Sequence, residues 1–140
     1  NSNSLGFVDA KKEEKIAEDG IKNFKIKTPS AKKKIVELSG GNQQKCIVAR
    51  WISTNPKVLI LDEPTKGIDV GAKSEFYQMI CQFAKQGLVV ILMSSEPEVM
   101  GLSARISVIR ARRIVGEISA EDATESTLLS MGMIGEVKEA

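Results

Sequence analysis

The 140-residue chain contains no histidine, one tryptophan, one tyrosine and two cysteines, and its aromatic share is 4%. Without histidine, no Ser-His-Asp, Cys-His or His-metal mechanism can be built on this chain alone. Cys46 and Cys81 are too few for a disulfide framework and lack the spacing of a zinc site. We expect them to be reduced core residues of a cytoplasmic protein. The longest strongly apolar run, residues 88–93, falls far short of the roughly 20 residues a membrane span needs. No apolar signal region opens the sequence, so export is not expected. A surplus of one charge is also missing: 20 basic and 18 acidic residues leave +2, which gives no case for nucleic acid as a partner.

What is present is a globular composition, 42% hydrophobic and 27% charged, at a length that suits one domain with a sizeable core. Residues 1–4 read as a polar lead without structure. Asp9 can cap a charged surface helix over about 10–24, with Ile16, Ile21 and Phe24 as its sparse apolar contacts. Lys22, Lys25, Lys27, Lys32, Lys33 and Lys34 follow with no acid between them. With Phe24 the sole aromatic nearby, this stretch reads as a solvated linker rather than an anion patch. Ser39 can cap a second helix whose Ile47, Val48, Trp51 and Ile52 recur at helical spacing and form the expected inward face.

Residues 58–61 and 88–93 are continuous apolar runs of strand length, the pattern of strands buried on both faces in a parallel sheet. Between them, 71–86 reads as a helix with Phe76, Ile80, Phe83 and Ala84 inward, closed by Gly87. Residues 97–102 allow a short helix. Two shorter strands, 106–109 and 114–118, meet at Ala111-Arg112, and a weak helix through Leu128 and Leu129 follows a Ser119 cap. The alternation of helix and strand argues for an α/β layer structure with a mostly parallel sheet.

Two segments carry chemistry. Asp62 and Glu63 follow a strand that ends at a proline, the end of open α/β sheets where ligands gather. Adjacent strand residues point to opposite faces unless the chain turns. One carboxylate could then serve a divalent metal and the other an attacking water; the alternative is an ordinary strand end with solvated acids. In Leu38-Ser39-Gly40-Gly41-Asn42-Gln43-Gln44-Lys45, two glycines expose backbone amides at a helix start beside a hydroxyl, the makings of an anion site. A simple capped helix explains neither the glycine pair nor the amides of Gln43 and Gln44.

The second segment resembles the signature motif of ABC-type ATPases, and Asp62-Glu63-Pro64-Thr65 after its apolar strand resembles their Walker B motif. Asn42 together with Lys66-Gly67-Ile68-Asp69-Val70-Gly71-Ala72-Lys73 is similar, more narrowly, to the second ATPase half of monosaccharide importers of the ribose and galactose type. The likeness runs from about residue 7 to about 131. It implies a P-loop NTPase-like α/β fold, ATP and Mg²⁺ as cofactors, and ATP hydrolysis that energises sugar import. Ser39, Gly40, Gly41 and Asn42 would belong to the nucleotide contact, facing the γ-phosphate held by the opposite half. Asp62 would serve Mg²⁺, Glu63 would be the general base, and Asp69 would lie in the loop crossing between halves. Ser95 stands where active sites of the family carry a histidine, as is characteristic of this second half. The implied partners are the other nucleotide-binding half, a transmembrane sugar permease and, indirectly, a periplasmic or extracellular sugar-binding protein. The implied place is the cytoplasmic face of the membrane.

The chain departs from the family text at four points. The segment after Glu96 is one residue short, Ala104 replaces an acid, and arginine replaces the glycine of the last hairpin, at a cost of about 1 kcal/mol or a wider turn. No two of the 11 glycines lie five positions apart, so the phosphate-cradling loop motif is not in this sequence. We therefore expect the C-terminal part of one nucleotide-binding domain, inactive alone and lacking the P-loop strand. It would comprise a partial helical subdomain (1–56), an ATPase core (57–118) and a tail helix (119–140). A non-catalytic remnant, or a soluble ABC ATPase of translation or DNA repair, are the alternative readings.

Overall fold

A computed structural model describes residues 9–134, so the polar lead at 1–4 and the last six residues of the tail lie outside the described residues. The chain forms two compact units, Asn1–Met93 and Ser94–Ala140.

In the first unit, α1 (Ala10–Asn23) begins where the Asp9 carboxylate accepts from the Lys12 amide at 3.2 Å. The helix buries none of its own residues; Phe24 and Ile26, just beyond it, enter the core. All six lysines of the basic stretch are exposed, and Lys33 pairs with Glu37 at 3.1 Å. A short 3₁₀ turn (Ile35–Glu37) leads to α2 (Gly40–Ile52).

The buried side of α2 differs from the apolar spacing. Gly41, Lys45 and Val48 are buried, whereas Ile47 and Trp51 are 47% and 54% exposed. Gly41 and Lys45 contribute nothing to hydrophobic periodicity, yet their side faces α3. A Cβ at position 41 would lie 2.6 Å from the Ala72 Cβ, closer than any real side chain tolerates. Glycine is required there for helix approach rather than for backbone freedom.

Strand β1 (Val58–Asp62), helix α3 (Val70–Lys85) and strand β2 (Val89–Met93) form a β-α-β unit, and β1 pairs in parallel with β2 from Val58↔Val89 to Asp62↔Met93. The strands are not covered on both faces as their composition suggests. Leu59 and Leu61 are buried, while Val58, Ile60, Val89, Ile91 and Met93 are exposed. Alternate residues point to opposite faces, and α3 packs on the sheet through one of them; among the described residues of this unit, nothing screens the other. Phe76, Tyr77, Met79 and Ile80 of α3 join Leu59, Leu61, Val48 and Ile68 in the core. The Phe24 ring meets Phe83 at 5.4 Å. Ala84, expected inward, is exposed. Cys46 and Cys81 are half-buried free thiols, and burial raises the Cys46 pKa.

The second unit holds a 3₁₀ turn (Pro97–Leu102), an antiparallel hairpin of β3 (Arg105–Arg110) and β4 (Arg113–Ser119), and α4 (Glu125–Ile134). The hairpin closes in two residues after all: Ala111 and Arg112 take φ of 49° and 66°, so the turn accepts the strain of lacking glycine instead of widening. Ser119 does not cap the final helix. Its hydroxyl bonds Asp122, and Thr124 makes the cap, accepting from the Thr127 amide at 3.1 Å. No helix among the described residues is long and apolar enough to cross a membrane.

Candidate functional site

The start of α2 lacks the side-chain cap bond that opens each of the other long helices of its unit. Asp9 caps α1, and Asp69 caps α3 by accepting from the Ala72 amide at 2.9 Å. Ser39, in the cap position of α2, makes no such bond. Instead its Oγ accepts from Asn42 Nδ2 at 2.8 Å. With an acceptor position thus taken, the hydroxyl proton remains to be donated outward. The other end of the Asn42 amide accepts from the Lys27 backbone at 2.8 Å, which fixes which way that amide lies. Gln43 extends the brace, its Nε2 donating to the Leu38 carbonyl at 2.8 Å. The amides of the first turn have no carbonyl of a preceding turn to meet, and the helix dipole is positive there. Ser39 and Gly40 are exposed, Asn42 is half-buried and Gly41 buried. The two glycines therefore differ: position 40 looks outward, position 41 inward against α3.

The acids stand at the other end of a short path. Asp62 closes β1 and is exposed. Glu63 takes φ 43°, a left-handed conformation that costs a non-glycine residue on the order of 1 kcal/mol. That turn breaks the strand alternation separating two consecutive side chains. The Glu63 amide donates to the Met93 carbonyl at 2.9 Å, and its own carbonyl accepts from Lys66 at 3.2 Å, so the carboxylate springs from a backbone held on both sides. Below it, Pro64 and Thr65 are buried, and Thr65 Oγ1 shares a 2.8 Å hydrogen bond with the Tyr77 hydroxyl. The loop at 65–69 then runs beneath the start of α2. A Cβ at Gly40 would lie 3.8 Å from the Gly67 carbonyl, and one at Gly41 would lie 3.5 Å from Ile68 Cγ2.

The structure thus gathers Ser39, Gly40, Gly41 and Asn42 on one helix start and Asp62 with Glu63 on one strand end. The loop that carries Asp69 joins the two. Ser95 belongs to the second unit, where it is exposed; its neighbour Ser94 accepts from the Glu96 amide at 3.0 Å. Three partners went unread in the sequence: Lys45, Glu75 and Tyr77. Only Lys45 carried a signal, standing four residues after Gly41 and three before Val48. A cavity of about 540 Å³ between α1, the basic stretch and α2 is lined by Ile16, Ile21, Leu38 and Cys46 among others, and includes none of the site residues.

These features, parallel strands of which the first ends in Asp62 and a helix that starts with two glycines beside them, define an α/β class. The described fold matches that of a dimeric ATP-binding cassette solved with ADP and Pi, with a TM-score of 0.71 at 23% identity, over 82% of this chain and 50% of that one. The profile described as ABC transporter matches residues 2–66. An arabinose import ATP-binding protein of Paraburkholderia xenovorans is 54% identical over 129 residues, covering 91% of this chain and 25% of the relative. A ribose import ATP-binding protein of Yersinia pestis is 44% identical over 127 residues, 90% of this chain and 25% of the relative. Residues 2–66 thus match the ABC transporter family, and the fold is the P-loop NTPase-like α/β fold of ATP-binding cassettes. It spans about a quarter of the length of these curated relatives.

Proposed function

We propose that the chain forms the signature-bearing portion of a nucleotide-binding half that energises monosaccharide import by ATP hydrolysis. The observation that carries this reading is the start of α2: an exposed Gly40 turn with no side-chain cap, and a Ser39 hydroxyl that accepts from Asn42. Such a start meets an anion with donors already aimed, so little reorganisation is needed when phosphate arrives. Ser39, Gly40 and Gly41 would face the γ-phosphate of ATP held by the opposite half, with Asn42 bracing them.

At the strand end, the exposed carboxylate of Asp62 is a hard oxygen donor of the kind Mg²⁺ prefers. Asp62 would hold Mg²⁺ there, and the ion would supply neutralisation of the charge that develops during phosphoryl transfer. Glu63, whose backbone is held on both sides, would accept a proton from water. Asp69 would bring its loop to the boundary between halves, and Ser95 would occupy the switch position. Relatives named for arabinose and ribose import support a sugar permease as partner, with an extracytoplasmic sugar-binding protein beyond it, and a place on the cytoplasmic membrane face. They do not favour the ATPases of translation or repair, nor a remnant without nucleotide.

The test is Gly40→Asp in the intact transporter. Position 40 has room for a side chain, so the substitution adds negative charge at the anion site without prising helices apart. ATP hydrolysis and sugar uptake should be lost together; normal rates of both would refute the reading.

A further inference from the structure

Lys45 is a charge taken out of water: its side chain is 6% exposed, and its Nζ donates to Glu75 Oε2 at 2.6 Å. Glu75, on α3, remains 53% exposed. An ion pair with one buried member is a poor way to gain stability, because a well-packed apolar residue would fill the position of Lys45 at less desolvation cost. What the pair does supply is geometry. One turn earlier on α2, Gly41 lets the backbone close onto Ala72 of α3, where a Cβ would come within 2.6 Å of the Ala72 Cβ. The two contacts are separated by four residues on α2 and three on α3, roughly 6 Å and 4.5 Å along the helices. Two attachments at different heights fix the rotation and crossing of α2 on α3, where one would fix only their approach.

The frame continues to the site. Asp69 ties the start of α3 to its own first turn through the Ala72 amide, the same residue that Gly41 meets. The 67–69 loop and the opening turn of α2 are therefore referenced to a single segment of α3. We propose that Lys45 and Glu75 are positioning residues, an interhelix clamp that aims the first-turn donors of α2 at phosphate in fixed register with the loop carrying Asp69. This rests on reading that helix start as a phosphate site. The clamp touches no nucleotide itself, so its loss should slow turnover without weakening the initial capture of ATP.

The experiment compares Glu75→Ala, Lys45→Met and Gly40→Asp in the intact transporter, reading kcat and KM for ATP per folded molecule. Glu75→Ala and Lys45→Met should each lower kcat about tenfold while KM for ATP stays within about twofold. Glu75 is half exposed, so its variant decides the matter if Lys45→Met does not fold. A kcat for Glu75→Ala within twofold of the parent, or a fall in which KM rises in step, overturns the clamp. Gly40→Asp separates the two levels of the account. If it abolishes turnover while Glu75→Ala does not slow it, the clamp alone fails; if Gly40→Asp is fully active, the phosphate site fails and the clamp with it.

Discussion

Gly41 and Ala72 meet so closely that the Cβ any other residue would bring to position 41 falls 2.6 Å from the Ala72 Cβ. The two helices cross there with no side chain between them on the α2 side. An alanine at 41 gains helix propensity but must force the crossing apart, and overpacking of this kind costs about 1–3 kcal/mol. We expect Gly41→Ala to destabilise the full chain in chemical denaturation. Adding Ala72→Gly should recover part of the loss, a coupling of at least about 0.5 kcal/mol. Strictly additive single and double variants would show that the crossing is not where the strain lies.

The hairpin makes a prediction in the opposite direction. Arg112 has φ 66° and Ala111 φ 49°, both in the region that costs L-residues energy. Arg112→Gly should therefore stabilise the full chain by about 1 kcal/mol, seen as a raised midpoint of thermal unfolding. A lowered midpoint would mean that the arginine side chain contributes more than its backbone costs.

Acid should expose the Lys45–Glu75 pair. The hydrogen bond from Lys45, then its charge, and to a smaller extent the charges of Lys27 and Lys25, hold the Glu75 carboxyl below its ordinary pKa. With the folded value depressed, the unfolded chain binds more protons between the two values. The contribution is thus complete above the ordinary glutamate pKa, about 4.3, and is lost as pH falls through the folded value. Glu75→Gln should be less stable than the parent from pH 7 to about 5, with the gap narrowing as pH drops below about 4. A gap that stays constant to pH 3 would contradict this assignment.

Much of this architecture is legible along the chain because its signals are local. The Asp9 cap, the two parallel strands and the hairpin at Ala111-Arg112 each depend on residues within one turn or one run. The faces of those elements are less legible because they depend on distant partners. Ile47 and Trp51 have the right spacing for a core yet lie exposed, while Lys45 is buried because its counter-charge waits at Glu75, thirty positions on. Val58 and Ile60 read as doubly buried because apolar composition records what a strand can tolerate, and only α3 covers this pair among the described residues of the unit. Ser119 and Thr124 are both cap residue types, but Ser119 bonds Asp122 in the preceding turn and Thr124, directly before α4, caps the helix. At the site, the glycine pair announces an anion-binding turn, but the division of labour between Gly40 and Gly41 needs the neighbouring helix to be seen.

The central claim is that this chain works chiefly by presenting its α2 start to phosphate held elsewhere, and that turnover depends less on its own Asp62 and Glu63. The most direct measurement is the ATPase rate of the intact transporter carrying Gly40→Asp or Glu63→Gln, compared in one assay. The account predicts a loss of at least about a hundredfold for Gly40→Asp, and a rate within about tenfold of the parent for Glu63→Gln, a barrier change under roughly 1.4 kcal/mol. A Glu63→Gln variant as inactive as Gly40→Asp would contradict it, because the acids of this chain would then be turning over ATP themselves.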